Sequence, residues 1–436
     1  MLKSGKTQQA VLKKLNIEKL NEMQEAAQLA IHSNKDVIIL SPTGTGKTLA
    51  FLLPLLQLLD AHLTEIQALV LVPSRELAIQ IEQVAREIGS GYKIYAFYGG
   101  RPGQKDRADL KNDPALIIGT PGRIADHIRR DNLQLKQLKM FVLDEFDKAL
   151  EVGFEEDMAN IIEALPGGRK NVLTSASKAL EVPNFVGLNQ AKYLNYLKEG
   201  NSQLSIKTVI SNNKDKLNTL IKTLCHLGKE PGIVFCNYRD SVERLSEFLK
   251  EKNIRHGCFY GGMEQRDRER ALIKFRNGTH RLIIATDLAA RGIDVPEIKN
   301  IIHYQLPHKA VEFTHRNGRT ARMHRQGTAY ILKWTNENLP DFVESDGELN
   351  LEERAVPEAS SWETLFISGG KKDKISKGDI AGLFFKQGNL KKDELGVIEL
   401  KQDCAFVAVK KTKVKSILRQ LNAVKLKTKK VKITLV

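Results

Sequence analysis

The sequence predicts two tandem α/β domains with parallel sheets, followed by a small α+β domain. Three observations carry this reading. Short β-rich apolar runs alternate with helical stretches from residue 36 to about 335, a polar stretch at 197–216 parts the runs into two sets, and a basic tail follows an acidic spacer. At 436 residues the chain has room for two or three domains with cores of their own.

The first set of runs is VIIL (37–40), ALVLV (68–72), ALIIG (115–119), FVLD (141–144) and NVLTS (171–175). The second is GIVFC (232–236), RLIIAT (281–286), NIIHY (300–304) and TAYIL (328–332). A strand buried on both faces reads as a continuous apolar run, and intervening helices imply parallel crossovers. The segment LKEGNSQLSIKTVISNNKDK (197–216) is polar and lacks a strong period, so it is expected to separate two sheets. Residues 336–361 hold eight acids, one arginine and two prolines, net −7, which reads as a mostly irregular linker. After it come TLFIS (364–368), a helical piece around 377–387, LGVIEL (395–400) and CAFVAV (404–409). A helix with Val414, Ile417, Leu418 and Leu421 on one face and a final VKITLV (431–436) complete the order βαββαβ. The expected domains are 1–205, 206–335 and 362–436, joined by the linker 336–361.

A hydrophobic share of 42% with 28% charged residues is ordinary for a globular protein, but 68 Lys and Arg against 52 Asp and Glu leave +16. The last 75 residues alone carry 18 basic and 7 acidic residues, net +11. A polyanionic partner is implied, nucleic acid or an anionic surface, although excess charge also serves solubility. The four cysteines (225, 236, 258, 404) form no CxxC pair and no zinc spacing, and read as packed thiols of a reducing compartment. The start, MLKSGKTQQAVLKK, lacks the apolar core of a signal peptide, and the longest apolar run (49–59) is too short to span a bilayer and contains Pro54. A cytoplasmic protein without membrane attachment is expected.

VIILSPTGTGKTLAF (37–51) reads as strand, glycine-rich turn and helix. Gly44 and Gly46 let backbone N–H groups point at phosphate oxygens at the positive end of the following helix. Lys47 would reach the β- and γ-phosphates, and Thr48 would place its hydroxyl on Mg²⁺. Ser41 stands where the strict pattern has glycine. The strand ending in Asp144-Glu145 is ambiguous alone, since a structural acidic turn is the commoner explanation. Downstream of a phosphate-binding loop, the pair fits Mg²⁺ coordination by Asp144 through water and activation of the attacking water by Glu145. HRNGRTAR (315–322) adds Arg316, Arg319 and Arg322. Arginines that meet a transferring phosphoryl group accelerate the reaction by roughly 10³–10⁵; a nucleic-acid patch or a solvated basic helix are the alternatives.

In order, SPTGTGKT (41–48), PSRELA (73–78), GG (99–100), TPGR (120–123), DEFD (144–147), SAS (175–177), QRDR (265–268), TDLAARGID (286–294) and HRNGRTAR (315–322) resemble the DEAD-box RNA helicases of superfamily 2 over almost the whole chain. The resemblance implies two RecA-like domains around ATP. It assigns nucleotide contacts to Gln24, Thr43, Gly44, Thr45, Gly46, Lys47, Thr48, Gly292 and Asp294, with Arg319 and Arg322 on the γ-phosphate. RNA sugar-phosphate contacts fall to Pro73, Arg75, Gly100, Thr120, Arg123, Gln265, Arg268 and Thr286, and coupling to Asp147, Ser175, Ser177 and His315. Backbone contacts discriminate little among sequences, so the core is expected to bind RNA non-specifically. Family members separate strands locally, by closing on one bent strand and resetting on hydrolysis.

The tail, carried by TLFISGGKKDKISKGDIAGLF (364–384), ELGVIEL (394–400) and KLKTKKVKITLV (425–436), resembles the RNA-binding domain of the bacterial DbpA subgroup, a divergent RRM. It implies tethering to structured RNA, ribosomal RNA first, and a role in ribosome assembly or RNA remodelling by a monomer without an obligate protein partner. An ordinary RRM stacks bases on aromatics of its central strands, and here CAFVAV offers only Phe406. Other departures from the family are the lack of an aromatic before Phe51, Asn317 and Ala321 in place of an aliphatic residue and glycine, Ser177 in place of threonine, and Phe146 in place of a small residue. Phe146 and Ser177 would offset each other if they pack together. An RNA clamp with little unwinding and a DNA-directed translocase are the competing readings.

Overall fold

The computed structural model describes residues 5–42, 44–151, 153–176, 182–197, 204–287, 298–320, 326–421 and 423–436. The chain divides into two compact units, mainly residues 1–202 and 203–436.

Unit 1 is a seven-stranded parallel sheet built from β1 (Asp36–Leu40), β2 (Ala68–Leu71), β3 (Ile94–Phe97), β4 (Leu116–Gly119), β5 (Met140–Leu143), β6 (Lys170–Ser175) and β7 (Lys192–Asn195). Its spatial order is β3-β4-β2-β5-β6-β1-β7. Alternate residues of one strand serve opposite cores: Val37 and Ile39 pack with Phe51 and Leu55 on one face, Ile38 and Leu40 with Phe141 and Met158 on the other. That two-sided burial is why the central strands read as unbroken apolar runs. Each such side chain taken wholly from water contributes about 1.5–3 kcal/mol.

Unit 2 contains a second parallel sheet, β8 (Leu204–Ser211), β9 (Gly232–Cys236), β10 (Gly257–Phe259), β11 (Leu282–Thr286), β12 (Asn300–His303) and β13 (Gly327–Trp334), in the order β10-β11-β9-β12-β13-β8. Part of the polar stretch at 197–216, expected to lie between sheets, is therefore β8, the edge of this sheet. The following segment 336–361 is mostly irregular and is bonded to the edge of this sheet. Asp346 N–H bonds to the Ile206 carbonyl (2.7 Å), Leu349 N–H to the Thr208 carbonyl (2.7 Å), and Thr208 N–H to the Gly347 carbonyl (3.1 Å). Leu349 and Leu351 pack against the core that holds Val209 and Leu332.

The tail forms an antiparallel sheet of β14 (Trp362–Ile367), β15 (Leu395–Leu400), β16 (Ala405–Lys410) and, after a small hairpin of β17 (Lys425–Leu426) and β18 (Lys429–Lys430), β19 (Ile433–Leu435), in the order β15-β16-β14-β19. Helices Lys377–Lys386 and Val414–Leu421 cover one face, where Leu365, Ile367, Val407 and Val409 meet Phe384 and Ile417. The opposite face meets the end of the helix Gln265–Arg276 and the turn that follows it in the same unit. Thr364, buried there, lies 2.7 Å from the Thr279 hydroxyl, Arg276 pairs with Glu399 (2.6 Å), and the Ser360 hydroxyl donates to the Gly278 carbonyl (2.5 Å). Phe406 lies on that face edge-to-ring with Phe366 and is only 7% exposed, so it is a packing residue and offers no stacking platform. No helix among the described residues is long and apolar enough to cross a membrane.

Candidate nucleotide site and RNA-facing residues

In unit 1 every described candidate residue apart from Gln24 lies at the carboxyl end of a strand or in the loop and first helical turn that follow it. The loop 41–48 follows β1, Asp144 and Glu145 follow β5, and Ser175 ends β6; Pro73 and Arg75 follow β2, Gly100 follows β3, and Thr120 follows β4. Because β5, β6 and β1 are neighbours while β2, β4 and β3 form the other half of the sheet, strand order separates the residues expected to meet nucleotide from those expected to meet RNA. The carboxyl edge of an open parallel sheet is where α/β proteins place ligands.

The cradle is shaped by backbone. Gly44 and Gly46 have φ of 87° and 88°, and a Cβ on Gly46 would come within 2.4 Å of the Gln24 amide nitrogen. Gln24 is held in turn by a reciprocal cap with Asn21, and its amide donates to the Gly46 carbonyl (3.2 Å) while Asn21 donates to the Thr45 carbonyl (3.0 Å). The NEMQ text thus ties the helix Glu22–Ser33 to the loop. The Ser41 and Thr45 hydroxyls are 2.7 Å apart, so serine at 41 supplies a loop-internal bond that glycine could not. Thr48 is half-buried on the first turn of the helix Lys47–Leu58. The Lys47 ammonium donates to the Ser41 carbonyl and to that of Pro42 (2.9 Å). Burial draws the Lys47 pKa down to about 8 against the opposing pull of Glu145 and Asp144.

Asp144, Glu145, Asp147 and Lys148 are all buried. Thr174 on β6 donates its hydroxyl to Asp144 Oδ1 and accepts the Glu145 N–H (3.2 Å). Glu145 takes a left-handed backbone (φ 53°) before the helix Phe146–Glu151 begins. Lys148, one turn later, sits 2.7 Å from Glu145 Oε2. Burial first, then the charge of Glu145, raises the Asp144 carboxyl above the usual range. A buried carboxylate whose proton affinity is raised beside a second carboxylate is the electrostatic setting a cation relieves. Among the described residues there is no cluster of three or more metal-ligating side chains; Mg²⁺ is commonly held by one or two carboxylates together with substrate phosphates, which Asp144 and Thr48 fit.

Among the RNA candidates, Arg75 lies against Gly99 and Gly100, where a Cβ on Gly100 would sit 2.8 Å from its Nη1. Gly100 therefore holds space for that guanidinium. Arg123 differs: its Nε donates to Asp106 (2.8 Å), a fully buried carboxylate also held by Arg101 (3.1 Å) and His127 (3.0 Å). The structure gives Arg123 a tie within the protein. In unit 2, Thr286 ends β11, while Gln265 and Arg268 open the helix Gln265–Arg276 after β10, with the Arg268 guanidinium 4.7 Å over the Phe259 ring.

Of the three arginines in HRNGRTAR, Arg316 is not available to a ligand. It is 1% exposed, paired with Asp287 through both carboxylate oxygens (2.5 and 2.6 Å), and bonded to Asn237 (2.7 Å) and the Gln305 carbonyl (2.5 Å). Arg319 and His315 are buried in the same region. Thr43, Ser177, Gly292, Asp294, Ala321 and Arg322 lie outside the described residues. Phe146 is buried in the core with Leu40, Leu143 and Ala149. Residues that sequence reasoning missed are Thr174, Lys148, Asn237 and Asp287. Only Lys148 carried a local signal, its spacing of three from Glu145 on a helix.

Family models agree with this geometry in three blocks: DEAD/DEAH box helicase over residues 21–184, helicase conserved C-terminal domain over 215–324, and DbpA RNA binding domain over 364–435. The chain belongs to the DEAD-box ATP-dependent RNA helicases, in the group that carries a DbpA-type RNA-binding domain. It is similar to the ATP-dependent RNA helicase DbpA of Escherichia coli, with 32% identity covering 97% of this chain and 96% of that one. The Bacillus subtilis protein of the same name is 29% identical over 94% of each. Among solved structures, S. cerevisiae Dbp5 bound to RNA and ADP BeF3 matches with a TM-score of 0.67 and 26% identity, covering 76% of this chain and 88% of that one. Mss116p bound to ssRNA and AMP-PNP matches with a TM-score of 0.68 at 23% identity, covering 81% and 80%, a likeness of fold.

Proposed function

We propose that this helicase separates short RNA duplexes locally, driven by ATP, while its tail holds structured RNA, with ribosomal RNA the leading candidate. The observation that carries the chemical half is the meeting of Lys47, after β1, with Asp144 and Glu145, after β5, on either side of the end of β6. Lys47 exchanges the Ser41 and Pro42 carbonyls for β- and γ-phosphate oxygens when nucleotide binds. Asp144 and the Thr48 hydroxyl would hold Mg²⁺, partly through water, and a bound ion would supply neutralisation of phosphate charge. Glu145, held by Lys148, takes the proton of the attacking water, and Arg319 with Arg322 stabilises charge on the γ-phosphate. Arg75, Gly100, Thr120, Gln265, Arg268 and Thr286 track the RNA backbone.

The tail's net charge of +11 supports the tethering half. A cytoplasmic role in ribosome assembly follows from that substrate. The deciding experiment compares Glu145→Gln with wild type in RNA-stimulated ATPase and in strand displacement of a short duplex beside a hairpin. Multiple turnover should vanish while ATP-dependent RNA binding persists; normal steady-state ATPase would overturn the role of Glu145. Wild-type ATPase without strand displacement would favour a clamp. Removing 362–436 should keep basal ATPase and lose preference for one structured RNA, and an unchanged RNA preference would reject the tether.

A further inference from the structure

Asn317 stands in motif text where the family carries an aliphatic residue, and the structure supplies its partner. His303, the last residue of β12, is fully buried, and its Nε2 lies 2.9 Å from Asn317 Oδ1. Its ring is stacked at 6.3 Å on Phe235 and at 4.8 Å against Phe313. Phe313 precedes Asn317 by one turn on the helix Ala310–Asn317, so the imidazole touches that helix twice.

The protonation state is constrained from both sides. Burial, then the charge of Arg316, pushes His303 down to about 3, and Arg316 lies over the same Phe235 ring at 5.2 Å. A neutral imidazole presents one N–H, and with Oδ1 of Asn317 as acceptor that proton belongs on Nε2. The amide is suited to this task, because an aliphatic residue leaves the N–H buried without an acceptor and a carboxylate brings a second charge beside the Arg316–Asp287 pair.

What the bond fixes is the point where the helix ends. Gly318 N–H reaches the Thr314 carbonyl (2.8 Å), Arg319 N–H that of Arg316 (3.1 Å), and Thr320 N–H that of Asn317 (3.0 Å), while the Thr320 hydroxyl reaches Lys299 beside β12 (3.0 Å). The turn bearing Arg319 is thus pinned to β12 on both sides, by His303 before it and by Thr320 after it. We propose that His303 and Asn317 are a matched pair of positioning residues that sets the helix register of Arg319 for the hydrolytic step, replacing the apolar packing used by other family members. This rests on the assignment of Arg319 to the γ-phosphate.

The test is a double-variant cycle on the full chain, read as RNA-stimulated ATPase, with histidine-selective ¹⁵N labelling as a second measurement. Asn317→Ile and His303→Val should each lower kcat about 10-fold with KM for ATP within about twofold, and the double variant should return to within about threefold of wild type. In wild-type labelled protein the His303 imidazole, assigned by its absence from the His303→Val spectrum, should be neutral with its proton on Nε2 at both pH 6 and pH 8, and that signal should change in Asn317→Ile even where that variant is too unstable to assay. A charged or Nδ1-protonated His303 at pH 6, wild-type kcat in both single variants, or a double variant no better than the poorer single one would each overturn the pairing. If Arg319→Ala left RNA-stimulated ATPase unchanged, the assignment beneath the proposal would fall, and the persisting imidazole signal would distinguish that outcome.

Discussion

The acidic edge of unit 1 and the arginine node of unit 2 both bury several charges at the carboxyl ends of parallel strands, yet they treat those charges differently. Around Asp144 the groups stay perturbed: burial draws Lys47 down to about 8 against the pull of Glu145 and Asp144, and burial with the charge of Glu145 raises Asp144. Around Arg316 the guanidinium meets a two-oxygen carboxylate, an amide and a carbonyl in matched geometry. Perturbed groups collect where a ligand completes the electrostatics, and satisfied groups where the protein needs a fixed point. The difference separates the residues to which the proposed function assigns chemistry from a guanidinium whose bonds are all made within the protein, although both sit in motif text.

The comparison can be broken by asking which property each charge supports. Lys47→Ala should lower turnover by at least about 10²–10³-fold without loss of unfolding stability, measured by steady-state ATPase and thermal denaturation; a large stability loss would put Lys47 in the structural class. Arg316→Met should do the reverse first, destabilising unit 2 by about 3–5 kcal/mol because Asp287 is left without its partner. Denaturant midpoints equal to wild type would contradict that.

Acid sharpens the contrast. His303 is held near 3 and His280 near 4, both mainly by burial, against an ordinary value of 6.5. With folded values depressed, the unfolded chain binds more protons below 6.5. Stability is complete above that pH and falls as pH drops toward the folded values, by up to about 1.4 kcal/mol per unit for each histidine. Melting of unit 2 followed between pH 7.5 and 5 should show the decline, and a flat profile would refute it. The smallest effect belongs to the tail contact: Arg276→Glu should cost about 1 kcal/mol or less, since that pair is partly solvated, and adding Glu399→Arg should recover it in the same melts.

Legibility in the sequence followed burial. All nine apolar runs of the helicase region appear as strands, and they are the interior strands of both sheets. The four missed strands, β3, β7, β8 and β10, are the four sheet edges. An edge strand is paired on one side only, so β10 is three residues long, β7 is largely exposed, and β8 mixes Lys207 and Thr208 into its pattern. The site was legible where glycine, lysine and acids occur in fixed local spacing. Thr174, Asp287 and His303 were not, because their partners lie 30, 29 and 14 residues away and meet only through strand order.

The chain at 345–349 has a practical meaning for anyone shortening this protein. By hydrogen-bonding along β8 it shields the outer rim of the second parallel sheet, the kind of open backbone row that recruits strands from other molecules. A truncation ending at 335 would bare that rim and invite self-association, whereas one ending at 361 would keep it covered. Two fragments that look equivalent on a domain diagram should therefore behave differently in concentrated solution.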